Sequence, residues 1–238
     1  MGVMRLSALI LVAASAGACA RPMLYYPEPV DAPAPKASPA TPAAPATKAE
    51  APAPTQAGVA ASSDASASAA IGMAELRSRH IILPVATVTG TIDDSFDDER
   101  DDGGRTHHAI DIMAPRGTPI LSADDGRVLR MSSNTLGGIT MYTIDPDGQL
   151  VYYYAHMDHY NEAMSAGRTI VKGDTLGFVG TTGNAPANAP HLHFQVMRMP
   201  ADGKYWEGEP INPFTLLSEA RAARDSVIAA RTEATHDH

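Results

Sequence analysis

Short apolar runs, separated by glycine, proline and polar breaks, fill the chain from about residue 71 to residue 217. Runs at 118–122, 126–131, 139–144, 150–157, 175–179 and 191–197 are rich in β-branched or aromatic residues, which predicts strands. Their spacing predicts a compact antiparallel, mainly β structure. Asp145-Pro146-Asp147-Gly148 lies between two alternating segments and predicts a hairpin turn, with proline presetting the bend and glycine accepting positive φ. Ile81-Ile82-Leu83-Pro84-Val85 is apolar, and its proline suits a strand entry or edge. Helices are expected only at the margins: a short one over 73–79 and an Ala/Arg-rich peripheral one over 218–230.

Upstream the pattern disappears. Residues 31–72 are rich in Ala, Pro, Ser and Thr without hydrophobic periodicity, so they cannot bury enough surface to offset conformational entropy and are expected to form a disordered tether. Much of the 44% hydrophobic content is this alanine, leaving one folded domain, 73–217, followed by a C-terminal helix and polar tail, 218–238. Residues 1–18 carry Arg5, an apolar run and small residues before Cys19, the order of a secretory signal. Ala16-Gly17-Ala18-Cys19 resembles a bacterial lipobox, which implies lipidation of Cys19 and a membrane-proximal segment over 19–30, while Ala16-x-Ala18 also suits ordinary signal peptidase, which would release a soluble protein. Ala20 in place of aspartate then implies export across the inner membrane to the periplasm and anchoring to the outer membrane. A net charge of −9 without a Lys/Arg cluster excludes nucleic acid as a partner. The single cysteine excludes a disulfide framework and a Cys-based zinc finger, so a metal site must be built from histidine and carboxylate.

Three segments carry that chemistry. In His191-Leu192-His193-Phe194 a strand would point both imidazoles to one face and Leu192 and Phe194 into a core. In His107-His108-Ala109-Ile110-Asp111 a straight strand would hold the ends about 13 Å apart, so a bend or bulge must intervene before His107 and Asp111 can converge. Periodicity does not choose between His107 and His108. In Tyr152-Tyr153-Tyr154-Ala155-His156, alternation places Tyr152, Tyr154 and His156 on one face. His107, Asp111 and His193 together would supply two imidazoles and one carboxylate, the ligand types of a catalytic zinc with a fourth position open to water, leaving His156 and His191 for proton handling. A further His-x-His, His236-Asp237-His238, lies in a polar tail without apolar alternation and is assigned no chemistry.

In this order the segments resemble the lysostaphin/LytM-type zinc endopeptidases of the cell wall, whose signatures are His-x-Gly-x-Asp, Tyr-Ala-His and His-Leu-His-Phe. The connecting Ala114-Pro115-Arg116-Gly117-Thr118-Pro119, Asp125-Gly126-Arg127-Val128, Val171-Lys172-Gly173-Asp174-Thr175-Leu176-Gly177 and Gly180-Thr181-Thr182-Gly183 segments also match. The resemblance implies an antiparallel two-layer β sandwich with a groove, Zn²⁺ held by His107, Asp111 and His193, and His156 and His191 as catalytic histidines. It implies hydrolysis of peptidoglycan peptide cross-links by metal-activated water, with a regulatory protein as a further possible partner. Two alternatives stand beside it: a catalytically inactive activator of a peptidoglycan amidase, and a structural wall-binding lipoprotein. Ala109 stands where the family usually has glycine. The acidic run at 93–99 reads as a solvated loop, and Trp206 as a cap on the domain edge.

Overall fold

The computed structural model describes residues 57–100 and 104–236. The signal-like segment, Cys19 and residues 31–56 of the tether lie outside the described residues, as do Asp237 and His238. Helix α1 (Ala57–Ser78) precedes eleven strands. The first two, β1 (Glu99–Arg100) and β2 (Arg105–Thr106), pair with each other. The remainder form one sheet: β3 (Ile110–Met113), β4 (Pro119–Leu121), β5 (Gly126–Asn134), β6 (Gly138–Ile144), β7 (Leu150–Tyr160), β8 (Thr169–Ile170), β9 (Thr175–Val179), β10 (His191–Arg198) and β11 (Glu209–Ile211). Helix α2 (Phe214–His236) closes the described chain. The spine has the order β11-β10-β7-β6-β5-β8, and β3, β9 and β4 attach to β10, β7 and β9 respectively, every pair antiparallel.

The long β7 joins these parts. Its first half pairs with β10 and β6, and its last residues pair with β9. Alternation then sorts the side chains. Ile110 and Ile112, Tyr152 and Tyr154, and Leu192 and Phe194 enter one hydrophobic core, joined by Leu76 from α1 and Leu217 from α2. Each large side chain buried this fully contributes about 1.5–3 kcal/mol. The opposite face carries Asp111, Tyr153, His191, His193 and Gln195, which line a groove of about 660 Å³. The Asp145–Gly148 turn forms as predicted, with Gly148 at φ 73° and the Asp145 carboxylate accepting from the amides of Gln149 and Leu150 at 2.7 and 2.9 Å. Beyond α1, Arg79 donates to the buried Asp124 carboxylate at 2.7 Å, and the Tyr152 hydroxyl donates to the same oxygen at 2.9 Å, fixing the chain to the sheet.

The antiparallel, mainly β architecture is the predicted one, and the margins differ from expectation. The helix expected over 73–79 extends back to Ala57, into the stretch read as tether, because no proline follows Pro54 there and alanine dominates. Helix α2 begins four residues before 218, where Asn212 accepts from the Phe214 amide at 2.9 Å and Pro213 opens the first turn. The apolar run at 81–85 contributes a single bridge, Val85 to Ile120. Strands of two or three residues such as β1, β2, β8 and β11 are too short to show a period.

Candidate active site

Asp111 and His193 are direct cross-strand partners on β3 and β10, so their side chains leave the same face as neighbours. His107 reaches them from the preceding loop. Its amide donates to the Asp98 carbonyl and that of His108 to Phe96, and His108 adopts the left-handed conformation at φ 55°. That residue supplies the required bend. Ala109 is fully buried outside the positive-φ region, so its alanine in place of glycine carries no conformational burden. The His108 ring turns instead to Phe96, with centroids 5.5 Å apart.

His107 Nε2, Asp111 Oδ1 and His193 Nδ1 stand 3.0–3.2 Å from one another. Three ligands on a tetrahedral zinc, at bonds of about 2.0–2.1 Å, are separated by about 3.3 Å, so these atoms approximate one face of that tetrahedron. The tautomers agree with this. The His107 Nδ1–H donates to the Ser95 carbonyl at 2.8 Å, which leaves the Nε2 lone pair directed at the other two donors. A cation at their centre relieves the repulsion among convergent lone pairs, so the donor set fits zinc. Asp111 is further held by the Ser95 hydroxyl on its amide at 3.2 Å and by Arg100 on Oδ2 at 3.1 Å. Burial pushes its carboxyl upward, but the adjacent His107 and His193 imidazoles outweigh this and hold it well below the usual carboxylate range.

His156 and His191 lie on the same groove wall, with ring centroids 4.9 Å apart. Each donates Nδ1–H to a backbone carbonyl at 2.8 Å, His156 to Thr182 and His191 to Ala189, so each presents an Nε2 lone pair. The His191 Nε2 is 3.8 Å from Asp111 Oδ1. His156 does not follow alternation. Between Tyr154 and Met157, which face Met141 and Ile139, β7 carries two residues against one on β6, and His156 takes φ 59° in this bulge. The bulge sends Ala155 and His156 both to the groove and returns Met157 to the core. Tyr154, expected on the face of His156, is therefore buried, with its hydroxyl accepting from the Ala123 amide at 3.0 Å. Burial pushes the His156 imidazole down to about 4, partly opposed by the Thr182 carbonyl, and burial likewise lowers His193.

The five histidine and aspartate positions singled out from the sequence thus meet in one groove. Their supports were not singled out. Ser95 and Asp98 belong to the acidic run read as a solvated loop, and they act there through a hydroxyl and backbone carbonyls, which no residue pattern announces. Arg100 carries no local signature either, and Thr182 belongs to the matching Gly180-Thr181-Thr182-Gly183 segment without a role read for it there. His80 bonds the Ser78 carbonyl, and His159 pairs with Asp158 and stacks on Phe178, both away from the groove. The side chain of His236 lies outside the described residues.

Residues 105–213 match peptidase family M23. The chain is 32% identical to the cell division protein DipM of Caulobacter vibrioides over 48% of its own length and 18% of that protein's. It is also 32% identical to the peptidoglycan DD-endopeptidase ShyC of Vibrio cholerae, over 39% of this chain and 20% of that one. It thus spans about a fifth of the length of these curated relatives. Among solved structures it superposes on LytM of Ruminococcus gnavus with a TM-score of 0.51 at 28% identity, covering 60% of this chain and 61% of that one. The antiparallel fold, the groove geometry and these likenesses converge on residues 105–213, the part of this chain that matches peptidase family M23.

Proposed function

We propose that the chain is a zinc-dependent endopeptidase that hydrolyses peptide cross-links of peptidoglycan. The observation that carries this reading is the convergence of two imidazole nitrogens and one carboxylate oxygen within 3.0–3.2 Å on the wall of a groove. His107, Asp111 and His193 would hold the ion, which when bound supplies the Lewis acidity that acidifies water and polarises the scissile carbonyl. His156 and His191 do the remaining work. Their Nε2 lone pairs face the groove, where they orient the attacking water, accept its proton and return it to the leaving amine. Once protonated, either imidazole donates to the oxyanion that develops on the substrate. Burial keeps His156 neutral near pH 7, the form an acceptor requires.

A relative named for peptidoglycan DD-endopeptidase activity supports the substrate class. The lipobox-like sequence at Cys19 supports a periplasmic protein anchored to the outer membrane, where the D-Ala to meso-diaminopimelate bridge is the bond at hand. No helix among the described residues is long and apolar enough to cross a membrane; the lipobox-like sequence makes lipid on Cys19 the proposed anchor. A zymogram on purified sacculi tests the activity: clearing is expected, lost with chelator and restored by zinc. Clearing in neither lane would replace this reading with the amidase activator or the wall-binding lipoprotein. Mass spectrometry of released muropeptides identifies the bond.

A further inference from the structure

Aromatic rings continue along the groove face of the sheet beyond His193. Tyr153 is the cross-strand partner of both Gln195 on β10 and Tyr142 on β6, and Tyr142 is that of Arg130 on β5. These four side chains therefore stand in one row across four strands. The rings form a continuous line: His193 to Tyr153 at 5.9 Å, Tyr153 to Tyr142 at 4.5 Å, Tyr142 to Tyr205 at 5.1 Å and Tyr205 to Trp206 at 5.0 Å between centroids. Ile144, Val151 and Met197 form a small buried apolar cluster against which Tyr142, Tyr153 and Tyr205 pack, separate from the main core. Tyr205 and Trp206 come from a 3-10 turn, Tyr205–Glu207, between β10 and β11, and Trp206 remains 44% exposed.

The main core lies on the other face of the sheet, and the indole at the end of this line meets Tyr205 edge-on yet stays 44% exposed. The line also begins inside the groove, since Tyr153 and Gln195 belong to both. An occupant of the line is therefore continuous with an occupant of the groove. Half-buried rings that end in an exposed indole, edged by Arg130, Gln195, Lys204 and Glu207, suit a ligand that is apolar on its faces and polar at its edge. A pyranose ring has that form: its C–H faces pack on aromatic rings while its hydroxyls reach polar side chains. A stem peptide, with short aliphatic side chains and carboxylates, does not.

We infer that this aromatic strip is a subsite for the sugar backbone of the substrate, gripping the glycan strand while its peptide lies in the groove. The inference rests on the peptidoglycan reading above, and its test separates the two. Trp206 is the only tryptophan of the chain, so intrinsic emission reports on the outer end of the strip alone. The zinc-loaded full chain is titrated with peptide-free glycan strands and, separately, with a sugar-free cross-linked stem peptide. A saturable emission change is expected with the glycan and not with the peptide. Trp206→Ala should lower the ratio of kcat/KM on sacculi to that on the sugar-free peptide by about fivefold, the low end of what one stacked ring supplies. Trp206→Tyr should restore most of it. Emission that ignores the glycan, or a Trp206→Ala loss equal on both substrates, overturns the subsite. If the wild-type chain cleaves neither substrate, the peptidase reading fails, and the glycan titration still decides the strip by itself.

Discussion

Gly138→Ala tests how the groove is held in register with His156, the imidazole proposed to handle the proton. Gly138 sits at φ 63°, and a Cβ there would lie closer than 3.0 Å to Thr182 Oγ1, the Thr182 carbonyl carbon and Gly183 N. To restore ordinary contact near 3.4 Å, the backbone at 182–183 must withdraw by about 1 Å. That segment anchors His156. The Thr182 carbonyl accepts from His156 Nδ1 at 2.8 Å, and the Thr182 hydroxyl bridges the Ile139 amide and the Met157 carbonyl at 2.9 and 2.7 Å. A displacement of this size at a catalytic group costs about 10²-fold in kcat. The left-handed alanine costs about 1–2 kcal/mol and the overpacking about 1–3 kcal/mol, so Tm should fall while the chain stays folded at low temperature. Zinc content should be unchanged, because His107, Asp111 and His193 stand on β3, β10 and the 107–109 loop, none of which contacts this Cβ. Gly148→Ala is the control: its φ is 73° but its nearest neighbour is 3.9 Å away, so it carries the left-handed cost without displacing the site. Turnover on sacculi, bound zinc by elemental analysis and Tm are read on both variants. A folded, zinc-replete Gly138→Ala protein with wild-type kcat would refute the proposed dependence of His156 on Thr182.

Ala at His107, Asp111 or His193 should abolish both bound zinc and hydrolysis, whereas His156→Ala or His191→Ala should keep most of the zinc and lose about 10²- to 10⁴-fold in rate; full metal occupancy after His193→Ala contradicts the ligand assignment. Zinc at a hundredfold excess over its dissociation constant should stabilise the chain by about 2.7 kcal/mol, or roughly 5–10 °C in Tm by calorimetry, and an unchanged Tm on chelation counts against a folded-state metal site. In chelator, stability should fall as pH drops from about 6.5 toward 4, because His156, held at about 4 when folded, binds a proton on unfolding in that window; Asp111, held low when folded, adds its loss only further down, as pH falls through the unfolded carboxylate range. His156→Gln should flatten the upper part of that slope in thermal melts, and an unchanged slope would assign the protons elsewhere.

Alternation along a strand was enough to place much of this molecule and failed at two informative positions. On β10 it put His191 and His193 on the groove and Leu192 and Phe194 in the core, because that strand runs without interruption between β7 and β3. On β7 it put His156 with Tyr154, and the bulge that opposes Ala155 and His156 to a single residue of β6 reversed the outcome. Near β3 it demanded a bend without locating it, and the bend falls on His108. At both failures the residue with positive φ is itself a histidine, not the glycine that local propensity would select. Such a residue persists only where its surroundings over-determine it. Here the surroundings are backbone carbonyls: Gly137 for the His156 amide, Thr182 for its ring, and Phe96 for the His108 amide. Carbonyls have no sequence signature, so the ligand types were legible from the chain while the means of holding them were not. The distribution of strain fits the proposed function. A regular strand delivers side chains to one face only at every second residue, a spacing of about 7 Å, whereas ligands of one ion must lie about 3.3 Å apart and a proton acceptor within about 3 Å of the water it serves. Cross-strand pairing supplies one such close pair, Asp111 with His193, and regular alternation adds His191 two residues away, whereas His107 and His156 are brought in by breaking the period, at the bend on His108 and in the bulge at His156.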